Sequence, residues 1–342
     1  MSEDHGALAV LRPNPEDWDH FVRGQARAHL LQLAAWGALK SQFGWDAQIV
    51  ALSDGSGIVA GASVLLKNLP LGLGRMAYLP RGPYATEAGH YPLLWEAIQS
   101  ETGAAFLKVE AGHFQDQPAP NFSAMGFVPS PQSIQPNNTI QIDIGDDDEI
   151  MLKRMNQGTR RKIRKSLKAG VNYIRGSRED LEDFNRLMQQ TGERNDFGVH
   201  SLEYYERVFD LFIPEHGALL LAKRDNKSLG AIMIFALGST AWYFYGASSR
   251  EHSNLYASYG LQWGAIQWAK ARGCLCYDMW GIPDHDHETL ETQFQGRSDG
   301  LWGVYGFKRG WGGRICRAAG AWDLPFNPLV YGAYRTALKF SG

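Results

Sequence analysis

One order of elements occurs twice in this chain, and it constrains the fold more than any single motif does. In the first occurrence AQIVALSD (47–54), IVAGASVLL (58–66) and RMAYLPRGPY (75–84) have the β-branched and apolar content of strands. A helical stretch, YPLLWEAIQSE (91–101), follows, and AAFLKVEA (104–111) is a strand again. About 170 residues further on, ALLLAKRD (218–225), LGAIMIFALG (229–238) and TAWYFYGAS (240–248) repeat the three strands. YGLQWGAIQWAKARG (259–273) then repeats the helix, ending at Gly273, and CLCYDMWGI (274–282) is the next strand. A repeat at this spacing argues for two similar α/β domains made by duplication and against a short-period solenoid. Domains of 1–143 and 144–317 are expected, with 318–342 a candidate to pack on the first; 342 residues suffice for two such cores.

Charge and cysteine usage narrow the partners. The 34 basic and 36 acidic side chains nearly cancel, so any polyanion must be met by a local patch. Cys274, Cys276 and Cys316 are odd in number and lack a CxxC pair or histidines at zinc spacing, which favours thiols in a reducing compartment. No basic leader opens the sequence, and no apolar run reaches about 18 residues. A cytoplasmic chain without a transmembrane segment is expected, with room only for peripheral contact with the inner membrane surface.

A local basic patch does exist. Between the repeats, the Pro/Asn/Gln-rich part before Thr139 reads as a connection, and the acidic run 146–149 is placed to cap the helix that follows. That helix carries eight Lys or Arg residues over 153–168, with Arg160, Arg161, Arg164, Lys165 and Lys168 on one side and Ile163 and Leu167 as the packing stripe. A solvated face and a phosphate-bearing partner both fit it.

The stretch LWGVYGFKRGWGG (301–313) sets glycines and aromatics around Lys308 and Arg309. Read plainly, it is a Gly-kinked strand with an aromatic core face; read functionally, it presents a cation to a ligand. No P-loop, HExxH, GxSxG or EF-hand pattern is present, and the H-x-H of His285 and His287 sits in a polar loop, so no metal is assigned. Glu110 and Asp278 each close an apolar strand, where a charge must find a partner or a ligand.

Six segments then add up to a family. HLLQLAAWGALKSQFGW (29–45), TRRKIRKSLKAGV (159–171), ERNDFGVHSLEYY (193–205), WYFYGASSREHSN (242–254), YGLQWGAIQWAKARGCLCYDMWGIPD (259–284) and LWGVYGFKRGWGG together resemble, in order and spacing, the FemABX aminoacyltransferases that build peptidoglycan interpeptide bridges. The resemblance implies an α/β fold of tandem acetyltransferase-like (GNAT) domains with mixed sheets, an aminoacyl-tRNA donor, a peptidoglycan precursor as acceptor and no cofactor. It implies contacts to the precursor from Lys40, Arg194, Tyr204, Tyr243 and Tyr245, and a catalytic centre at Lys308 and Glu110 with the Phe307 carbonyl beside the lysine. This chain has glutamate at position 110, where the family carries aspartate. The basic side of Arg160, Arg161, Arg164, Lys165 and Lys168 becomes a tRNA contact, and Trp302, Tyr305 or Trp311 a platform for a terminal base. The long coiled-coil arm of some relatives is missing, since TRRKIRKSLKAGV runs directly into the second domain.

Two rival readings stay open. An acyl-CoA N-acyltransferase would need a pyrophosphate loop, for which RAAGAW (317–322) is the nearest match. A non-enzymatic RNA-binding module would use RGWGGRIC (309–316), which loosely echoes an RNP1 motif.

Overall fold

The structure, a computed structural model, describes residues 8–195 and 198–340; within ERNDFGVHSLEYY, Asp196 and Phe197 lie outside the described residues. The chain divides into two compact units, one of residues 1–135 with 318–342 and one of 136–317.

The first unit carries strands β1 (Ala9–Leu11), β2 (Asp46–Ser53), β3 (Ile58–Asn68), β4 (Arg75–Pro80), β5 (Tyr84–Ala85), β6 (Phe106–Glu110) and β7 (Val128–Pro129). Its helices are α1 (Pro15–Arg23), α2 (Ala34–Ser41) and α3 (His90–Thr102). The sheet order is β1-β2-β3-β4-β6, then the late strand Ala321–Pro325, then β7, with β5 pairing β3. Strands β2 and β3 form an antiparallel hairpin because Asp54 accepts from the Ser56 and Gly57 amides and Gly55 takes a left-handed conformation. Helix α3 is the crossover that makes β4 and β6 parallel, paired over the whole of Met76–Pro80 with Phe106–Glu110. Gly103, at φ 59°, ends that helix as a left-handed cap.

The second unit repeats the plan. Strand β8 (Asn138–Asp143) leads into helices α4 (Asp148–Arg154) and α5 (Gln157–Leu167), then β9 (Asn172–Arg175), α6 (Leu181–Asn195) and α7 (Leu202–Phe212). Strands β10 (Gly217–Arg224), β11 (Lys227–Leu237) and β12 (Thr240–Ser248), helix α8 (Ala257–Ala271) and strand β13 (Cys276–Ile282) repeat the motif. Helices α9 (His287–Gln293) and α10 (Trp302–Lys308) and strand β14 (Arg314–Arg317) complete the unit. The sheet order is β14-β8-β13-β12-β11-β10-β9. Strand β8, which a boundary after residue 143 assigns to the first half, pairs with β13 and β14 in this sheet.

The last strand, β15 (Ala321–Pro325), lies between β6 and β7, and helix α11 (Pro328–Phe340) follows it in the first unit. Two charges with no exposure hold the return. Lys108 on β6 donates to Asp323 on β15 at 2.9 Å, to the Gln132 carbonyl at 3.0 Å and to Ser130, while the Tyr331 hydroxyl of α11 donates to the other Asp323 oxygen at 2.9 Å. The ammonium thereby has three acceptors, and each Asp323 oxygen has a donor.

Three expectations are corrected by packing. The basic stretch is two helices, because Asn156 caps a new one by accepting from the Thr159 amide at 2.7 Å. Ile163 is buried as expected, but Leu167 is 50% exposed; Thr159 and Ser166 share the inner face instead. The stretch 301–313 is helical up to Trp311, not a kinked strand. Three of its five glycines serve internal packing: a Cβ on Gly310 would lie 2.7 Å from the Asn156 side-chain nitrogen, one on Gly312 2.6 Å from the Arg154 carbonyl, and one on Gly313 2.6 Å from the Gln141 carbonyl. No coiled-coil arm interrupts the second unit, since α5 leads directly into β9. Among the described residues no helix is long and apolar enough to cross a membrane.

Candidate active site

The central parallel pairs of the two sheets differ. In the second unit β12 and β13 pair only at Thr240–Trp242 with Cys276–Asp278, although the strands run on to Ser248 and Ile282. Both carry a bulge where pairing stops. Phe244 is skipped in the register with β11, and Met279 and Trp280 together oppose a single residue of β8. Trp280 takes φ 62°, an uncommon conformation for a bulky side chain, and packs its ring at a tilt against that of Phe244, the centroids 4.5 Å apart.

The bulge in β13 turns the Gly281 carbonyl toward Lys308 at the end of α10, which donates to it at 2.7 Å. The ammonium is buried and lies 5.8 Å from the centroid of the Tyr243 ring. Burial draws its pKa down to about 7, against the opposing pull of Asp278. Asp278 is itself buried and accepts from the Trp280 amide at 2.7 Å, from Gln141 at 3.2 Å and from Thr139. Arg309 turns the other way, into an ion pair with Glu291.

The other expected residues of this unit are strung along β12. Tyr243 stands beside Lys308; the Tyr245 and Tyr204 hydroxyls are 3.2 Å apart; Arg194 donates to the Ser248 carbonyl at 3.1 Å. Burial pushes the Tyr204 and Tyr243 phenols up to about 12, so both remain hydrogen-bond donors at neutral pH. Arg194 also lines a surface pocket with Gln190, Glu193, Ser249, Arg250 and Glu251. Its pKa is lowered by burial and by Arg250.

Trp302, Tyr305 and Trp311 are core residues, Trp311 only 1% exposed, so none of them is the expected base platform; burial of Trp311 likewise removes the stacking face of the RNP1-like stretch. Sequence reasoning missed a different aromatic set. Lys162 donates to the Tyr259 hydroxyl at 3.0 Å and lies over the rings of Tyr256 and Tyr259. Tyr259 packs edge-on against Phe307 at 4.9 Å, next in sequence to Lys308. The Tyr-x-x-Tyr of Tyr256 and Tyr259, where α8 begins, was the available signal. Arg161, Arg164 and Lys165 are exposed on α5, and Lys168 is exposed directly after its last residue. Arg160 is employed otherwise: its guanidinium donates to the Met155 carbonyl at 2.7 Å and closes the end of α4.

In the first unit Lys40 is half-buried on α2, its ammonium 5.4 Å from the Trp36 ring, and burial and Lys67 lower its pKa. Lys67 covers Trp45, which packs on Tyr78, which donates to Glu110. Glu110 is buried and also accepts from the Gln135 amide at 3.0 Å and from the Ile134 amide. Three donors on one carboxylate make it the anchor of the 134–135 turn and occupy most of its lone pairs.

Among the described residues no group of three His, Cys, Asp or Glu side chains is placed to hold a metal. All three cysteines are free. RAAGAW spans the end of β14 and the start of β15 and does not open a helix, where a CoA pyrophosphate would need it.

The chain is similar to known proteins over most of its length. The lipid II:glycine glycyltransferase of Staphylococcus saprophyticus is 26% identical over 92% of this chain and 92% of its own length. The FemX crystal structure superposes with a TM-score of 0.82 at 21% identity, covering 95% of this chain and 99% of that one. A tandem GNAT protein from the clavulanic acid biosynthesis pathway superposes at 0.51 with 12% identity, over 93% and 98% of the two chains. The two sheets with their parallel central pairs are therefore tandem acetyltransferase-like folds. A family model described as FemAB matches residues 14–90, 125–229 and 221–339, most of the sequence, and the chain belongs to the FemAB family.

Proposed function

We propose that this chain transfers an amino acid from aminoacyl-tRNA to the stem-peptide amine of a peptidoglycan precursor, lipid II or its UDP-linked counterpart, and so builds the interpeptide bridge. The observation that carries the reading is Lys308: a buried ammonium set where the β12–β13 pair has opened. The names of the relatives support the acceptor class. The acceptor amine attacks the ester carbonyl of the donor, and the carbonyl electron pair moves onto oxygen. Lys308 stabilises that oxyanion, with the Phe307 carbonyl beside it holding the attacking nitrogen through its N–H. When the intermediate collapses, the C–O bond to the terminal ribose breaks and the proton from nitrogen leaves with the ribose oxygen. An amide and uncharged tRNA result, with no covalent enzyme intermediate. Glu110 orients Tyr78 and the 134–135 turn.

Lys40 and Arg194 supply charge to the precursor, and Tyr204, Tyr243 and Tyr245 supply donors. Each charge-assisted bond contributes about 1.5–3 kcal/mol, so Lys40→Ala or Arg194→Ala weakens precursor binding roughly ten- to a hundredfold by calorimetry while the fold persists. Unchanged affinity in both variants would remove them from the site.

The donor is tested through α5. Arg161, Arg164, Lys165 and Lys168 meet tRNA phosphates, so transfer from full-length aminoacyl-tRNA falls steeply with salt, by roughly 0.9 log units of affinity per tenfold salt for each phosphate neutralised. Arg161→Glu with Arg164→Glu raises KM for that donor and affects a short aminoacylated acceptor-stem analogue far less. Arg160 is left intact because it caps α4. Equal effects on both donors would remove the helix from tRNA binding. Turnover with acyl-CoA alone, or RNA binding without turnover, would overturn the reading as a whole.

A further inference from the structure

Helix α11 is amphipathic in an unusual sense, with apolar side chains on both faces. Tyr331 is buried, packing 5.2 Å from Phe106 and bonding Asp323, and Tyr334 lies 4.7 Å from the same ring. These contacts seat one side of the helix on the first unit. On the other side Leu329 and Phe340 are 86% and 85% exposed, well beyond the other exposed large apolar residues described. Eleven positions separate them, which at 3.6 residues per turn returns them to one line along the helix, with Ala333 and Thr336 between. Lys339 and Arg335 are exposed to one side of this line, about 80–140° round the helix from it, with the Arg335 guanidinium 6.0 Å from the centroid of the Tyr331 ring, and no acidic residue occurs from Pro328 to Phe340. Asp323, the nearest acid in sequence, is fully buried and already paired.

We propose that α11 is an interfacial docking helix that lies flat on an anionic lipid surface. Leu329 and Phe340 enter the acyl boundary, and Arg335 and Lys339 extend their stems along it to reach lipid phosphates. Charge selects this occupant over a second copy of the chain. A two-fold contact through the same face would bring α11 cations against α11 cations, whereas an anionic headgroup layer complements them. Two apolar anchors alone bind reversibly at best, so the cations are required as the second signal. The inference stands on α11 and is independent of the transfer chemistry.

The test is sedimentation of the full chain with phosphatidylcholine vesicles, with and without phosphatidylglycerol. Wild type pellets with the anionic vesicles, stays in the supernatant with the neutral ones, and is released by high salt. Leu329→Ser with Phe340→Ser, and separately Arg335→Gln with Lys339→Gln, each lower vesicle partition about tenfold or more. Circular dichroism and thermal unfolding check that both remain folded; the changed side chains are solvent-exposed, so both are expected to. Failure of wild type to pellet, or pelleting of both variants like wild type, overturns the proposal. So does a concentration-dependent dimer in sedimentation velocity that the Leu329/Phe340 variant abolishes, which would make the face a contact between copies. Loss of aminoacyl transfer with vesicle binding intact would count only against the proposed chemistry.

Discussion

Lys308→Ala is expected to slow single-turnover transfer by about a hundredfold or more while precursor binding is retained, because removing one preorganised oxyanion partner costs roughly 3–4 kcal/mol in comparable sites. Lys308→Arg restores little: a planar fork does not fit where one point charge bonds the Gly281 carbonyl. The lysine also gives the reaction a pH signature. Burial has lowered its pKa to about 7, so the ammonium fraction of the free protein, and with it the oxyanion partner, declines as pH rises through that value. Stability moves the opposite way. Between about 7 and the ordinary value of 10.5 the folded chain has released a proton that the unfolded chain still binds, so stability rises with pH across that window. Below the window both states are protonated, and this contribution is constant. Near-normal turnover of the alanine variant, or an identical alkaline limb in both proteins, would reduce Lys308 to a packing residue.

The largest effect on stability is expected at Lys108 and Asp323. Both have no solvent exposure, and removing either partner leaves an uncompensated charge inside the first unit, at about 3–5 kcal/mol. Lys108→Met or Asp323→Leu alone should therefore lower the denaturant midpoint sharply. The double variant should recover much of the loss, because an apolar pair avoids the desolvation of both ions. If the two single losses simply add in the double variant, the ion pair is not what holds β15 in place. Chemical denaturation of the four proteins completes the cycle.

The strands and crossover helices of both units were legible because their apolar patterns are local: β3 and β11, buried along most of their length, read as unbroken apolar runs. The break between α4 and α5 was also legible in principle, since Asn156 is a helix-capping residue type inside the basic run. The stretch 301–313 was not. Gly310, Gly312 and Gly313 are set by Asn156, Arg154 and Gln141, all more than a hundred residues away in sequence, and glycine among aromatics carries no mark of which distant neighbour it must admit. The same holds for Glu110. A carboxylate closing an apolar strand announces that it needs partners, but Tyr78 and the amides of Ile134 and Gln135 are chosen by the tertiary fold. Lys308 was legible as a charge in an improbable setting; the two bulges that open its surroundings were not.

The placement of β15 in the first sheet also orders events on the ribosome. Residues 136–317, which form the second unit, are made after most of the first unit and before the strand that fits between β6 and β7. At typical rates of about 5–20 residues per second, roughly ten to forty seconds pass before that strand emerges. Throughout that interval the β6 edge is unpaired and Lys108 lacks its carboxylate. The second unit thus has every residue it needs before the first does, reversing the usual N-to-C order of domain completion. An incomplete chain that stops after residue 317 would display an open strand edge with a buried-type cation beside it, which makes truncated products natural clients for chaperones and proteases.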